Sequence, residues 1–133
     1  MDGSLKDLSC YRLERAKEDL ARARREFNLG DYKLAQNRSY YAVFHAMRAV
    51  NALDDYDSRK HSGVISHFND EHVKKGDFPK EVSKMIKGAM EVRQQSDYED
   101  FYVVSKEFAE QQIKNVEYVI GLIDDFLNQR MGN

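Results

Sequence analysis

Apolar side chains recur at steps of three and four along most of this chain, with polar ones filling the positions between. Leu13, Ala16, Leu20, Ala23 and Phe27 fall on one face of a helix over about 5–28. Arg12, Arg15, Glu18, Asp19, Arg22, Arg25 and Glu26 make its opposite, charged face. Gly30 suits the C-terminal cap of that helix and Asp31 the N-cap of the next. The second helix, over about 32–53, has a face of small residues: Ala35, Ser39, Ala42, Ala46 and Ala49, with Leu53 at its end. Small side chains let another backbone come close. Tyr40, Tyr41, Val43, Phe44, Met47 and Val50 fill much of the remaining girth, so this helix is expected at the centre of the molecule or in a subunit interface.

An acidic linker over 54–58 leads to a third helix over about 60–75, with Val64, Ile65, Phe68 and Val73 on its apolar side. Gly76-Asp77-Phe78-Pro79 is the clearest break, and Pro79 suits the first turn of a fourth helix, where its missing N–H costs nothing. That helix uses Val82, Met85, Ile86, Ala89 and Val92 and fades over about 96–100. The last helix, over about 104–129, carries Ala109, Ile113, Val116, Ile120, Ile123 and Leu127 at near-heptad spacing. Short connections favour antiparallel neighbours. The expected fold is all-α: an up-and-down four-helix bundle with an additional short helix, one domain over 1–133 with its core at about 5–127. A small bundle has difficulty burying both the second helix and the long stripe of the last one, which predicts a homodimer.

Composition narrows the classes. Hydrophobic residues are 41% and charged residues 33%, enough for one core and too much charge for a membrane protein. The net charge of −2 lacks the basic excess of a dedicated duplex-binding domain. Cys10 is the single cysteine, which excludes an intrachain disulfide and a cysteine-based zinc site. The start of the chain has no apolar signal-peptide region, and no stretch approaches a membrane span, so a cytoplasmic protein with no membrane association is expected.

Three segments then carry a resemblance. Gly30-Asp31-Tyr32-Lys33-Leu34-Ala35 is followed by Arg38-Ser39-Tyr40-Tyr41-Ala42-Val43-Phe44-His45-Ala46; next comes Lys60-His61-Ser62-Gly63-Val64-Ile65; and last Arg93-Gln94-Gln95-Ser96-Asp97-Tyr98. In this order, within an all-helical chain of this size, they resemble the HEPN family, specifically its small stand-alone prokaryotic members. The resemblance implies a bundle that forms homodimers and nucleotide- or RNA-related chemistry. It also implies a setting in toxin–antitoxin or defence systems beside a small nucleotidyltransferase. Active ribonucleases of the family carry an arginine, four to six intervening residues and a histidine. Arg93 stands in the matching place, and Tyr98 stands where the histidine would fall.

That substitution has a physical consequence. Metal-free RNA cleavage needs one group to take the 2′-hydroxyl proton and another to protonate the leaving oxygen, work suited to an imidazole. A tyrosine with a pKa of about 10 is a poor base. Arg93 can bind a phosphate through its planar fork, or it can pair with Asp97 as a structural ion pair with Tyr98 capping the bundle. Arg38 and His45 also have six residues between them and lie on one helix face about 10 Å apart. Their place differs from that of the family motif, and a packed His45 among Tyr41, Phe44 and Arg48 is the plainer reading. His61, near a helix start, can contact an anion or simply pack. His67 and His72 are five apart, so on a regular α-helix they do not share a face; a zinc site from His67, Glu71 and a third residue is conceivable, but no metal and no cofactor is expected. The arginines of the first helix are interleaved with acids and read as a solvated face.

Three functions follow. The first is a HEPN-type nucleotide- or RNA-binding protein, with Arg93, Asp97, Arg38 and His61 as candidate phosphate contacts and a nucleotidyltransferase as candidate partner. The second is a metal-free endoribonuclease toxin using Arg93, Tyr98 and His45. The third is a non-catalytic helical interaction protein. Whether the chain is an enzyme is left open.

Overall fold

The computed structural model describes residues 3–98 and 102–132, with side chains given for all of these except 95–98. Its helices are α1 (Gly3–Asn28), α2 (Tyr32–Leu53), α3 (His61–Phe68), α4 (Glu81–Tyr98) and α5 (Lys106–Arg130). A single π turn, Asn69–Val73, continues α3. The protein is all-α. Among the described residues no helix is long and apolar enough to cross a membrane.

The turn between α1 and α2 follows from two residues. Gly30 takes a φ of +86°, which a side chain would oppose. Asp31 N donates to Glu26 O and Gly30 N to Phe27 O, the paired bonds of a Schellman ending. Asp31 Oδ1 then accepts from Leu34 N at 3.0 Å and caps α2. Such a tight reversal makes α1 and α2 antiparallel. Ser9 Oγ donates to Ala49 O at 2.7 Å, and His45 lies opposite Asp19. The small face of α2 is therefore spent on α1, with Ala16, Ala23, Ala42, Ala46 and Ala49 all fully buried.

Arg24 and Lys17 of α1 pair with Glu117 and Asp124 of α5, so α5 also runs opposite to α1. Tyr118 of α5 donates to Glu81 at the start of α4 at 2.8 Å. α1, α2, α4 and α5 thus form the up-and-down bundle, and α3 lies against α2. The apolar girth of α2 is covered from within the chain: it touches α1, α3, α4 and α5, and Val43, Phe44, Met47 and Val50 are buried. Its girth therefore no longer argues for a subunit interface.

Four local expectations need correction. Arg12 and Asp19 do not belong to a solvated face. They are 7% and 4% exposed, because they fall on the same turns as Ser9, Ala16 and Ala23, against α2. The third helix is not α-helical to residue 75; it becomes the π turn at Asn69. The last helix starts two residues late, where Ser105 Oγ accepts from Phe108 N at 3.1 Å. Pro79 precedes the regular part of α4, its carbonyl accepting from Val82 N at 3.1 Å.

Candidate functional site

One flank of α2 faces both α3 and α4, and it carries Tyr40, Tyr41, Phe44 and Arg48 within about two turns. His61 opens α3 and lies flat on this flank. Its ring stacks on Phe44 at 4.2 Å between centroids and on Tyr40 at 5.8 Å. Tyr40 is fully buried, and its hydroxyl meets His61 Nδ1 at 2.7 Å. Burial pushes the Tyr40 phenol up to about 12, so it stays protonated. It can then donate to Nδ1 or accept from it, depending on the imidazole tautomer.

Arg93, on α4, sets its guanidinium over the same shelf. Cζ is 5.5 Å from the Tyr40 ring centre and 5.7 Å from that of Tyr41, within cation–π range. Nη2 donates to Tyr41 Oη at 3.2 Å. The side chain is half-buried. The pKa of His61 is lowered, first by burial, then by the charges of Arg93 and Arg48. A guanidinium and an imidazole kept neutral thus share one cluster.

Below the shelf, Arg12 reaches across from α1. It donates to Arg48 O at 3.2 Å and pairs with Asp57 at 3.3 Å, and Arg48 meets the same carboxylate at 3.3 Å. Burial lowers the pKa of Arg12, as does Arg48. Burial works to raise that of Asp57, but the two arginines outweigh it and the net shift is downward. Asp57 therefore stays ionised and ties the 54–60 loop to α1 and α2.

The structure brings Arg93 and His61 together. It turns His45 elsewhere: Nε2 lies 3.6 Å from Asp19 Oδ2, facing α1, and burial lowers its pKa. Arg38 lies half-buried on α2, two turns before His45. Asp97 and Tyr98 fall in the last turn of α4, and their side chains lie outside the described residues. Arg12, Arg48, Asp57 and the tyrosine shelf were not singled out from the sequence. Arg12 had a signal, since it interrupts the run Ser9, Ala16, Ala23 on the small-residue face of α1.

The fold is thus a helical bundle that sets an arginine over paired tyrosines beside a histidine. The chain belongs to the HEPN family, whose domain model matches residues 10–126. A protein of Methanocaldococcus jannaschii named "Putative toxin" is 31% identical over 98 residues, 74% of this chain and 67% of the relative. UPF0332 proteins of Archaeoglobus fulgidus and Thermotoga maritima are 29% and 31% identical, covering 89% and 88% of this chain and 94% and 89% of theirs.

Proposed function

We propose that the chain binds RNA or a nucleotide through a phosphate site centred on Arg93, as the HEPN component of a toxin–antitoxin or defence system. The observation that carries this reading is the Arg93 guanidinium held on the Tyr40–Tyr41 shelf next to His61. The tyrosine contacts fix the fork in one orientation, which lowers the entropy lost when it grips a phosphate. The toxin name of the M. jannaschii relative supports the setting. A homodimer and a small nucleotidyltransferase partner complete the proposal.

The neutral imidazole favours a second reading, a metal-free endoribonuclease. If Nδ1–H donates to Tyr40, Nε2 offers its lone pair outward and can take a 2′-hydroxyl proton. His61, rather than His45 or Tyr98, then replaces the histidine missing from the family motif.

Both readings are tested on one preparation. RNA binding should weaken about 10- to 100-fold in Arg93→Ala, the size of a lost charge-assisted contact. Unchanged affinity would exclude the phosphate site. For the second reading, purified protein should degrade RNA in EDTA, and His61→Ala should abolish this while His45→Ala leaves it. Intact RNA after incubation with the wild type removes the ribonuclease and leaves binding.

A further inference from the structure

α2 ends at Leu53, and the next residue, Asp54, meets two histidines from the far end of α3. His67 Nε2 lies 2.9 Å and His72 Nε2 2.6 Å from the same oxygen, Asp54 Oδ2. One donor atom of each residue lies within 4.8 Å of the other two. We propose that Asp54, His67 and His72 form a binding site for a divalent transition-metal ion of the zinc type, separate from the Arg93 cluster.

The backbone is the first support. Residues five apart diverge on an α-helix, which is why the sequence argued against a shared site. The π turn over Asn69–Val73, with Lys74 N bonded to Asn69 O at 2.9 Å, adds the extra residue that realigns His72 with His67. Such insertions are rare, weaken the local helix, and occur often at functional sites. Glu71, the acid considered from the sequence, points away and pairs with Lys75.

The second support is outer-sphere. His72 Nδ1 lies 2.8 Å from Asp77 Oδ2, the carboxylate–histidine arrangement that orients metal-bound imidazoles. A neutral imidazole carries one N–H, but both nitrogens of His72 face carboxylate oxygens. If Nδ1–H donates to Asp77, the Nε2 lone pair points at Asp54 Oδ2. A metal ion placed between them would take donor atoms from Asp54, His67 and His72 together.

The surroundings fit as well. Tyr56 stacks on His67 at 4.0 Å, and Phe68, Phe78 and Phe126 surround His72, which is 5% exposed. Asp54 is exposed and gives the ion an entry side. Tetrahedral zinc holds its donors roughly 3.3 Å apart, so these atoms need to spread by less than about 1 Å. Two imidazoles and one carboxylate favour zinc, nickel or copper over magnesium or calcium, and three protein ligands leave one position open.

The test uses the full chain, stripped with chelator and titrated with Zn²⁺ alone by calorimetry at about pH 7.5. One ion per chain is expected, with a zinc-dependent rise in melting temperature. Asp77→Asn should bind about 10- to 100-fold more weakly, and His67→Gln and Asp54→Asn at least as weakly as that. Neither His67 nor Asp54 is buried, so these two variants keep the fold, which circular dichroism checks. No zinc uptake by the wild type, or equal affinity in both variants, overturns the proposal. RNA binding through Arg93 is unaffected by His67→Gln, so failure at one site is distinguishable from failure at the other.

Discussion

At the scale of single residues, the cluster turns on how His61 is charged. Burial, then Arg93 and Arg48, lower its pKa below the ordinary value of about 6.5. The unfolded chain therefore binds this proton more readily than the folded one. The stabilisation is fully present above about pH 6.5 and is lost as pH falls through the lowered folded value. His45, lowered by burial, adds in the same direction. The urea midpoint should drop between about pH 7.5 and 5.5, and His61→Gln should remove part of that drop. An equally steep drop in the variant would mean that burial and the two arginines do not hold the imidazole neutral. A phosphate bound at Arg93 opposes the effect, since a nearby anion favours the imidazolium. Arg93 and His61 were both legible as candidates. Their sharing of the Tyr40–Tyr41 shelf was not, because they lie on different helices and their proximity depends on how α3 and α4 seat on α2.

At the scale of elements, α3 is fixed by close approach. A Cβ on Gly63 would clash with Ser58 Oγ and meet Tyr56 Oη at 3.3 Å, so the helix rests on the 54–60 loop. Asn51 Nδ2 donates to Val64 O at 3.1 Å from a buried position and pins the helix to α2. Gly63→Ala should therefore cost about 1–3 kcal/mol in urea unfolding, through overpacking, and should perturb His61 along with the loop. A change within about 0.5 kcal/mol would mean the loop yields freely. Asn51→Ala should cost about 0.5–1.5 kcal/mol by removing the side-chain hydrogen bond that ties α3 to α2. The cap at Gly30–Asp31 was readable because it depends on adjacent residues. The π turn was not, since no adjacent residue marks it and the partners of His72, Asp54 and Asp77, lie outside the helix.

At the scale of the whole molecule, the all-α bundle was legible from periodicity alone. Long apolar stripes and short connections leave few other arrangements. The periodicity could not tell which partner covers each face. The girth of α2 suggested either a central helix or a subunit interface, and the chain itself covers it through α1, α3, α4 and α5, as a central helix requires. Arg12 illustrates the same limit: its charge marked it as solvated, while its register placed it under Arg48. The proposed dimer now rests on the family and is tested separately. Light scattering should give about twice the 15.6 kDa chain mass, and a monomer at micromolar concentration removes it.

The claim on which the account depends is that Arg93 and His61 together receive a phosphate. Nuclear magnetic resonance of the His61 ring, followed while a short RNA is titrated into the wild type and Arg93→Ala, reads this at the site. The account predicts that RNA shifts the His61 resonance and raises its titration midpoint in the wild type, with both effects lost in the variant. A His61 resonance that ignores RNA, while RNA still binds the protein, would contradict it.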